Sequence, residues 1–345
     1  MNNYNFPSLR INLLLIREME RLSICEHRSS GGLWGSRVVH TCSAPAIPAG
    51  RITALQAVDL WKNHFTERGV MEPDHSSLYI MAYLLGAKTV KSLEQEKLSE
   101  FLSPEKTEQM WKLCSRRLSR MPVQYVIEEW DFRDLTLKMR PPVFIPRPET
   151  EELVELMLND LEMKPGTGIG ADSQHTCLEV GCGSGAISLS LLKSLPQLKV
   201  TALDQSQDAV DLTRANTCNK LFLLNDRLQI HCLDVMKDAE TVLSLCRHVS
   251  TLLLFFSYKI VFDHAALDGG KDGLKVIKQI LTLAPQILSN HGRVYLEVDP
   301  RHPPLIQRWV EVNPKFRVCL FLFVRPRFCI LRKEKSNKYH KLDLD

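Results

Sequence analysis

The chain has 345 residues, 44% of them hydrophobic and 24% charged, an ordinary globular balance that excludes collagen-like, low-complexity and multispanning membrane classes. A formal charge of +4 is small and spread along the chain, so it marks out neither a dedicated nucleic-acid scaffold nor an acidic partner. Ten cysteines are scattered without a C-x-x-C pair, which predicts no metal site and a reducing compartment.

A length above that of one ordinary domain predicts two globular units. Positions 1–51 carry six arginines against three glutamates, with no lysine. That is the composition of a mitochondrial transit peptide, and equally of a poorly ordered tail; the first reading places the protein in mitochondria, the second leaves it cytoplasmic. From 52 to 122, Leu55, Val58 and Trp61, then Leu78, Met81 and Leu84, then Met110, Leu113 and Leu118 recur at helical spacing. A small helical domain is predicted, its Met, Trp and Leu stripe forming a bundle core. Ser103-Pro104-Glu105 supplies one helix start, with a cap oxygen, a proline at the first position and an acid in the first turn.

From 123 to 148, short alternating segments around Phe132-Arg133-Asp134, then Pro141-Pro142, predict a hairpin linker. A helix is predicted from about Glu149 through Leu153, Leu156 and Met157, then a loop at 165–170. From Thr176 onward strand-like apolar runs alternate with helical ones, the pattern of a mostly parallel sheet with helices on both faces. This α/β domain spans 149–335, and the basic tail beyond it reads as solvated rather than as an RNA contact.

The first strand of that domain leads through Glu179 and Val180 into Gly181-Cys182-Gly183-Ser184-Gly185, which opens a helix. Glycines at 181, 183 and 185 let the chain turn sharply and lie close to a ligand, because a Cβ there would meet it. About twenty residues on, Asp204 ends the second strand, where a carboxylate accepts from ribose hydroxyls. Asp234 ends the third, beside a base. Glu179 suits the ammonium and positive charge of an amino-acid-bearing nucleoside, where a phosphate-binding loop would avoid an acid. Acids at successive strand ends thus favour a cationic cofactor over incidental placement.

Markers elsewhere are Arg116-Arg117, Met121 to Val126, Phe144-Ile145-Pro146-Arg147-Pro148-Glu149-Thr150-Glu151, Ala265 to Gly270, Leu296 to Pro303 and Arg325 to Phe328. With the Glu179 to Gly185 loop, they make the sequence similar, from about Ile52 to Lys333, to the release factor glutamine methyltransferase family (HemK/PrmC type), most closely its mitochondrial eukaryotic members. The resemblance implies a class I, Rossmann-like sheet that binds S-adenosylmethionine through Glu179, Gly181, Cys182, Gly183, Ser184, Gly185, Asp204 and Asp234. It implies N5-methylation of the glutamine in the Gly-Gly-Gln motif of class I peptide chain release factors. A monomer is expected, its helical domain recognising the protein substrate, with no membrane partner and nucleic acid met only indirectly at the ribosome.

Arg147 and Glu149, set by flanking prolines, are the substrate-side candidates; an interdomain ion pair is the competing reading. His302 reads as structural, since this chemistry needs no histidine base. The family places Asn-Pro-Pro-Tyr after the fourth strand, where the asparagine side chain and a proline carbonyl accept the amide hydrogens. This chain has no such motif: from Ser257 it runs through 258–264 to Ala265, so no catalytic residue is identified. A chain that holds cofactor and methylates poorly or not at all is expected. A non-catalytic variant that binds cofactor or release factor is the alternative, and a nucleic-acid amino-methyltransferase a weaker one.

Overall fold

The computed structural model describes residues 43–87, 95–162, 175–218, 226–247, 249–255, 273–313, 319–325 and 327–333. Residues 1–42, the predicted loop at 165–170, the tail at 336–345 and the segment 256–272, where the family pattern is broken, lie outside them. The chain divides into two compact units, Met1–Trp130 and Asp131–Asp345.

The first unit is helical: α1 (Ala54–Glu67), α2 (Pro73–Leu84), α3 (Gln95–Ser99), α4 (Pro104–Leu118) and α5 (Val123–Ile127). Thr53 and Gln56 close a reciprocal capping box at the start of α1, and Ser103 accepts from Lys106 N at 3.3 Å to start α4 at the predicted site. Trp61, Phe65, Met81, Met110 and Cys114 are fully buried, with the Trp61 and Trp111 rings edge to face at 5.4 Å. Burying each large apolar side chain contributes on the order of 2 kcal/mol. The stripe differs from expectation at Leu55, which is exposed because Ala54, Ala57, Val58 and Trp61 set the inward face of α1 one step away.

The Arg116-Arg117 marker ties the end of α4 to its neighbours. Arg116 donates to Tyr125 O at 3.0 Å and Val126 O at 3.1 Å, and Arg117 to Met71 O at 2.9 Å and Ser76 Oγ at 3.0 Å. A helix rather than a strand opens the region after Pro122, because its carbonyl accepts from both Tyr125 N and Val126 N at 3.0 Å. Glu128, in the left-handed region at φ 61°, ends that turn. Then β1 (Glu129–Phe132) and β2 (Leu135–Lys138) form a two-stranded sheet, and the boundary between the units falls within β1.

The second unit continues with α6 (Pro148–Glu162), β3 (Thr176–Val180), α7 (Ala186–Ser194), β4 (Lys199–Asp204), α8 (Gln207–Thr217) and β5 (Leu228–Cys232). It is completed by α9 (Ala239–Leu245), β6 (Val249–Phe255), α10 (Lys275–Ile287), β7 (Leu288–Glu297), α11 (His302–Val312), β8 (Cys319–Arg325) and β9 (Phe328–Lys333). The seven strands lie in the order β5-β4-β3-β6-β7-β9-β8, parallel except where β9 pairs antiparallel with β7 and β8. This is the mostly parallel α/β sheet that the alternating runs predict. Its core, including Leu178, Leu203, Leu252, Ile280, Ile287, Leu296 and Leu331, joins strands to helices. The order reverses between β3 and β6, and the carboxyl ends of strands at such a reversal are where open α/β sheets bind ligands.

Candidate functional site: the glycine loop and the strand ends

The loop between β3 and α7 is held by its main chain. Gly181 N and Cys182 N donate to Leu203 O at 2.8 and 3.0 Å, and Gly185 N to Cys182 O at 2.8 Å. Gly181, Gly183 and Gly185 all sit at positive φ, 82°, 55° and 80°. Their reasons differ. A Cβ on Gly183 would meet nothing nearer than Val143 at 4.0 Å, so the loop surface there is open. One on Gly185 would lie 2.8 Å from Thr213 Cγ2, so that glycine answers to α8 packing within the protein, where the sequence suggested close approach to a ligand.

Asp204, at the end of β4, accepts from Gly183 N at 3.0 Å and Ser206 N at 2.9 Å. Burial pushes its carboxyl up, against the pull of those amides. Glu179 is 1% exposed and accepts from Ser188 N at 3.2 Å and from the Ser188 hydroxyl. Burial lifts it to about 8, and the charge of Asp204 adds to the effect. Glu179 therefore holds a proton at neutral pH when nothing cationic is near.

The third strand ends earlier than the sequence suggested. β5 stops at Cys232, and Asp234 begins a turn in which its carboxylate accepts from Met236 N at 2.9 Å and pairs with Lys237 at 3.3 Å. Leu233 N donates to Asp204 O at 2.9 Å, which keeps the Asp204 and Asp234 segments adjacent. Cys182 and Ser184 are buried under the loop, with the Thr213 hydroxyl 3.5 Å from Cys182 Sγ and 3.0 Å from Gly183 O.

Sequence reasoning missed Asn216. Buried on α8, it donates to Ser184 O at 2.9 Å and accepts from Lys138 N at 2.7 Å, so one amide braces the loop and β2 together. The available signal was polar Thr213 and Asn216 three residues apart on the face of α8 that also carries buried Ala209 and Leu212.

Arg147 and Glu149 lie apart from the glycine loop in sequence, just before α6 and in its first turn. Burial lowers the Arg147 guanidinium, while the charges of Glu297, Glu149 and Asp299 oppose that shift. Glu297, also missed, ends β7 at 2% exposure and accepts from Thr150 Oγ1 at 2.9 Å. Burial lifts it to about 7, with Thr150 and Arg147 pulling it down. His302 is buried against Gly273, where a Cβ would come within 2.8 Å of Nε2. That contact suits the structural role expected of it. Among the described residues no group of three or more His, Cys, Asp or Glu is placed to hold a metal ion, and no helix is long and apolar enough to cross a membrane.

Family models for the PrmC N-terminal domain and for a methyltransferase domain match residues 56–127 and 178–281. A human relative, the MTRF1L release factor glutamine methyltransferase, is 42% identical over 294 residues, 81% of this chain and 86% of its own. The chain belongs to the release factor glutamine methyltransferase family. The family's release factor glutamine methyltransferase from Streptococcus pneumoniae is 31% identical over 214 residues, 60% of this chain and 71% of that one. Among solved structures, TrmN from Thermus thermophilus is 20% identical, covering 52% of this chain and 48% of that one at a TM-score of 0.38. The candidate site of this family member combines glycine-loop amides with one buried acid, Glu179, and one half-buried acid, Asp204.

Proposed function

We propose that the second unit holds S-adenosylmethionine in the architecture that serves N5-methylation of the glutamine in the Gly-Gly-Gln motif of class I peptide chain release factors, and that this chain, lacking Asn-Pro-Pro-Tyr, turns over poorly or not at all. The observation that carries this reading is the placement of Glu179, fully buried, and Asp204, half-buried and accepting from Gly183 N, around a glycine loop that contains no basic residue. Such a pair of acids offers a phosphate no countercharge and suits a nucleoside bearing an ammonium and a sulfonium, so the residues fit the group. When bound, S-adenosylmethionine supplies an activated methyl group.

This chain's own residues then do the following. Asp204 accepts from ribose hydroxyls, a charge-assisted contact contributing roughly 1.5 to 3 kcal/mol. Glu179 becomes an ion beside the incoming cation. Asp234 stands by the base, and the loop at Gly183 gives the ligand an open main-chain surface. Rate then comes chiefly from positioning the amide nitrogen in line with the methyl carbon. Arg147 and Glu149 address the acceptor peptide. The partner is the release factor, met by a monomer, and the arginine-rich composition of positions 1–51 supports a mitochondrial address.

One sequence observation favours a second reading, a non-catalytic member that binds without turnover: Asn-Pro-Pro-Tyr is absent. Calorimetry with S-adenosylmethionine tests the cofactor, and incubation with methyl-labelled cofactor and a release factor tests turnover. Binding heat with little or no label on the glutamine is expected. A folded chain with no heat of binding would overturn the cofactor reading, and efficient labelling would overturn the non-catalytic one.

A further inference from the structure

The carboxyl edge of the sheet carries a second buried acid, one that the cofactor cradle does not use. Val180 pairs with Leu254, and Phe255 with Glu297. The glycine loop, the end of β6 and Glu297 therefore lie on one level across three neighbouring parallel strands. Two strand spacings, about 10 Å, separate the loop from Glu297. The end of β6 lies between them, and a methyl acceptor has to sit there to meet a cofactor held over β3.

Glu297 is enclosed rather than presented. Thr150, itself buried in the first turn of α6, donates to it at 2.9 Å, and the charges around it are Arg147, Glu149 and Arg327, with Asp299 beside Arg147. The first turn of a helix favours an anion, so α6 and Glu297 hold each other. Arg147 and Glu149, by contrast, are only half-buried. A guanidinium donates to peptide carbonyls and a carboxylate accepts from peptide N–H groups. A glycine-rich segment exposes both along its main chain.

Resting on the methyltransferase reading above, we propose that Glu297 is a positioning residue for the acceptor: clamped by Thr150, it holds Arg147 and Glu149 at the carboxyl edge to grip the main chain of a glycine-rich, glutamine-bearing peptide. Its ionised form anchors Arg147, so peptide affinity rises as pH climbs through about 7.

The test uses the full chain loaded with S-adenosylhomocysteine and a fluorescent peptide containing Gly-Gly-Gln, with affinity read by anisotropy from about pH 6 to about pH 8.5, a window that brackets an acid titrating near neutrality. The unaltered chain is expected to bind more tightly as pH rises. Glu297→Gln, which keeps the shape and the Thr150 contact, is expected to bind about tenfold more weakly at high pH and to lose the pH dependence. Thr150→Val should move the midpoint upward by removing a bond to the carboxylate, and Glu297→Asp should recover part of the profile. Affinity for S-adenosylhomocysteine should be the same in all of them. An unchanged affinity and pH profile in Glu297→Gln would overturn the proposal, as would an unaltered chain that takes up S-adenosylhomocysteine and not the peptide. A chain that takes up neither overturns the cofactor reading as well.

Discussion

Glu179, near the end of β3, and Gly185, where the following loop meets α7, are constrained in different ways. Gly185 combines φ 80° with a wall at Thr213, 2.8 Å from where a Cβ would lie. Gly185→Ala should therefore destabilise the protein by about 2 to 4 kcal/mol, the sum of backbone strain and overpacking. Adding Thr213→Ser, which removes Cγ2 and keeps the hydroxyl bonded to Gly183 O, should recover the packing part only, which urea denaturation of the single and double variants will measure.

At Glu179 the sign is set by burial. In the folded, cofactor-free protein the group keeps its proton up to about 8, whereas its ordinary value is 4.5. Ionisation opposes folding, so its contribution is complete below the ordinary value and is lost as pH rises toward 8. Glu179→Gln should flatten this part of the profile: the variant's stability relative to the unaltered chain should improve between about pH 5 and about pH 8.5, the window of that titration. The same variant should bind S-adenosylmethionine about tenfold more weakly, because an ion beside the ligand's cation is lost. Melting scans across pH, with calorimetry, check both; a parallel pair of stability profiles would refute the assignment.

At the scale of elements, braces matter more than contact area. Asn216 joins α8, the glycine loop and β2 through one buried amide. Asn216→Ala leaves Lys138 N and Ser184 O without that partner, which should cost about 1 to 3 kcal/mol and loosen the loop enough to weaken cofactor binding severalfold. In the helical unit, Arg117 is 8% exposed and satisfies Met71 O, Met121 O and Ser76. Arg117→Met keeps its bulk but orphans those acceptors, and a loss of about 2 to 4 kcal/mol is expected in urea denaturation. Cofactor affinity should be unchanged, since Arg117 lies in the first unit and the glycine loop in the second.

For the whole molecule, a ligand that binds only the native state must raise its stability, by about 2.7 kcal/mol at a hundred times its dissociation constant. S-adenosylmethionine and S-adenosylhomocysteine should both raise the melting midpoint of the second unit. A midpoint that does not move with either compound would refute the proposed pocket.

The parts that could be read before folding are those whose chemistry is local. The Gly181 to Gly185 loop, the Ser103 cap and the alternation from Thr176 onward are legible because turn conformation, capping and hydrophobic period depend on near neighbours. Asp204 was legible for a related reason, since a strand end following such a loop has a fixed place at the sheet edge. Asn216, Thr150 and Glu297 were not. Each acquires its role from a partner far away in sequence, Lys138 for the first and the Thr150–Glu297 pair for the others. Only strand order and register bring such groups within bonding distance, and only burial turns Glu179 and Glu297 from ordinary surface acids into groups that hold protons near neutrality. Desolvation depends on everything packed around a group, which no short window of sequence contains.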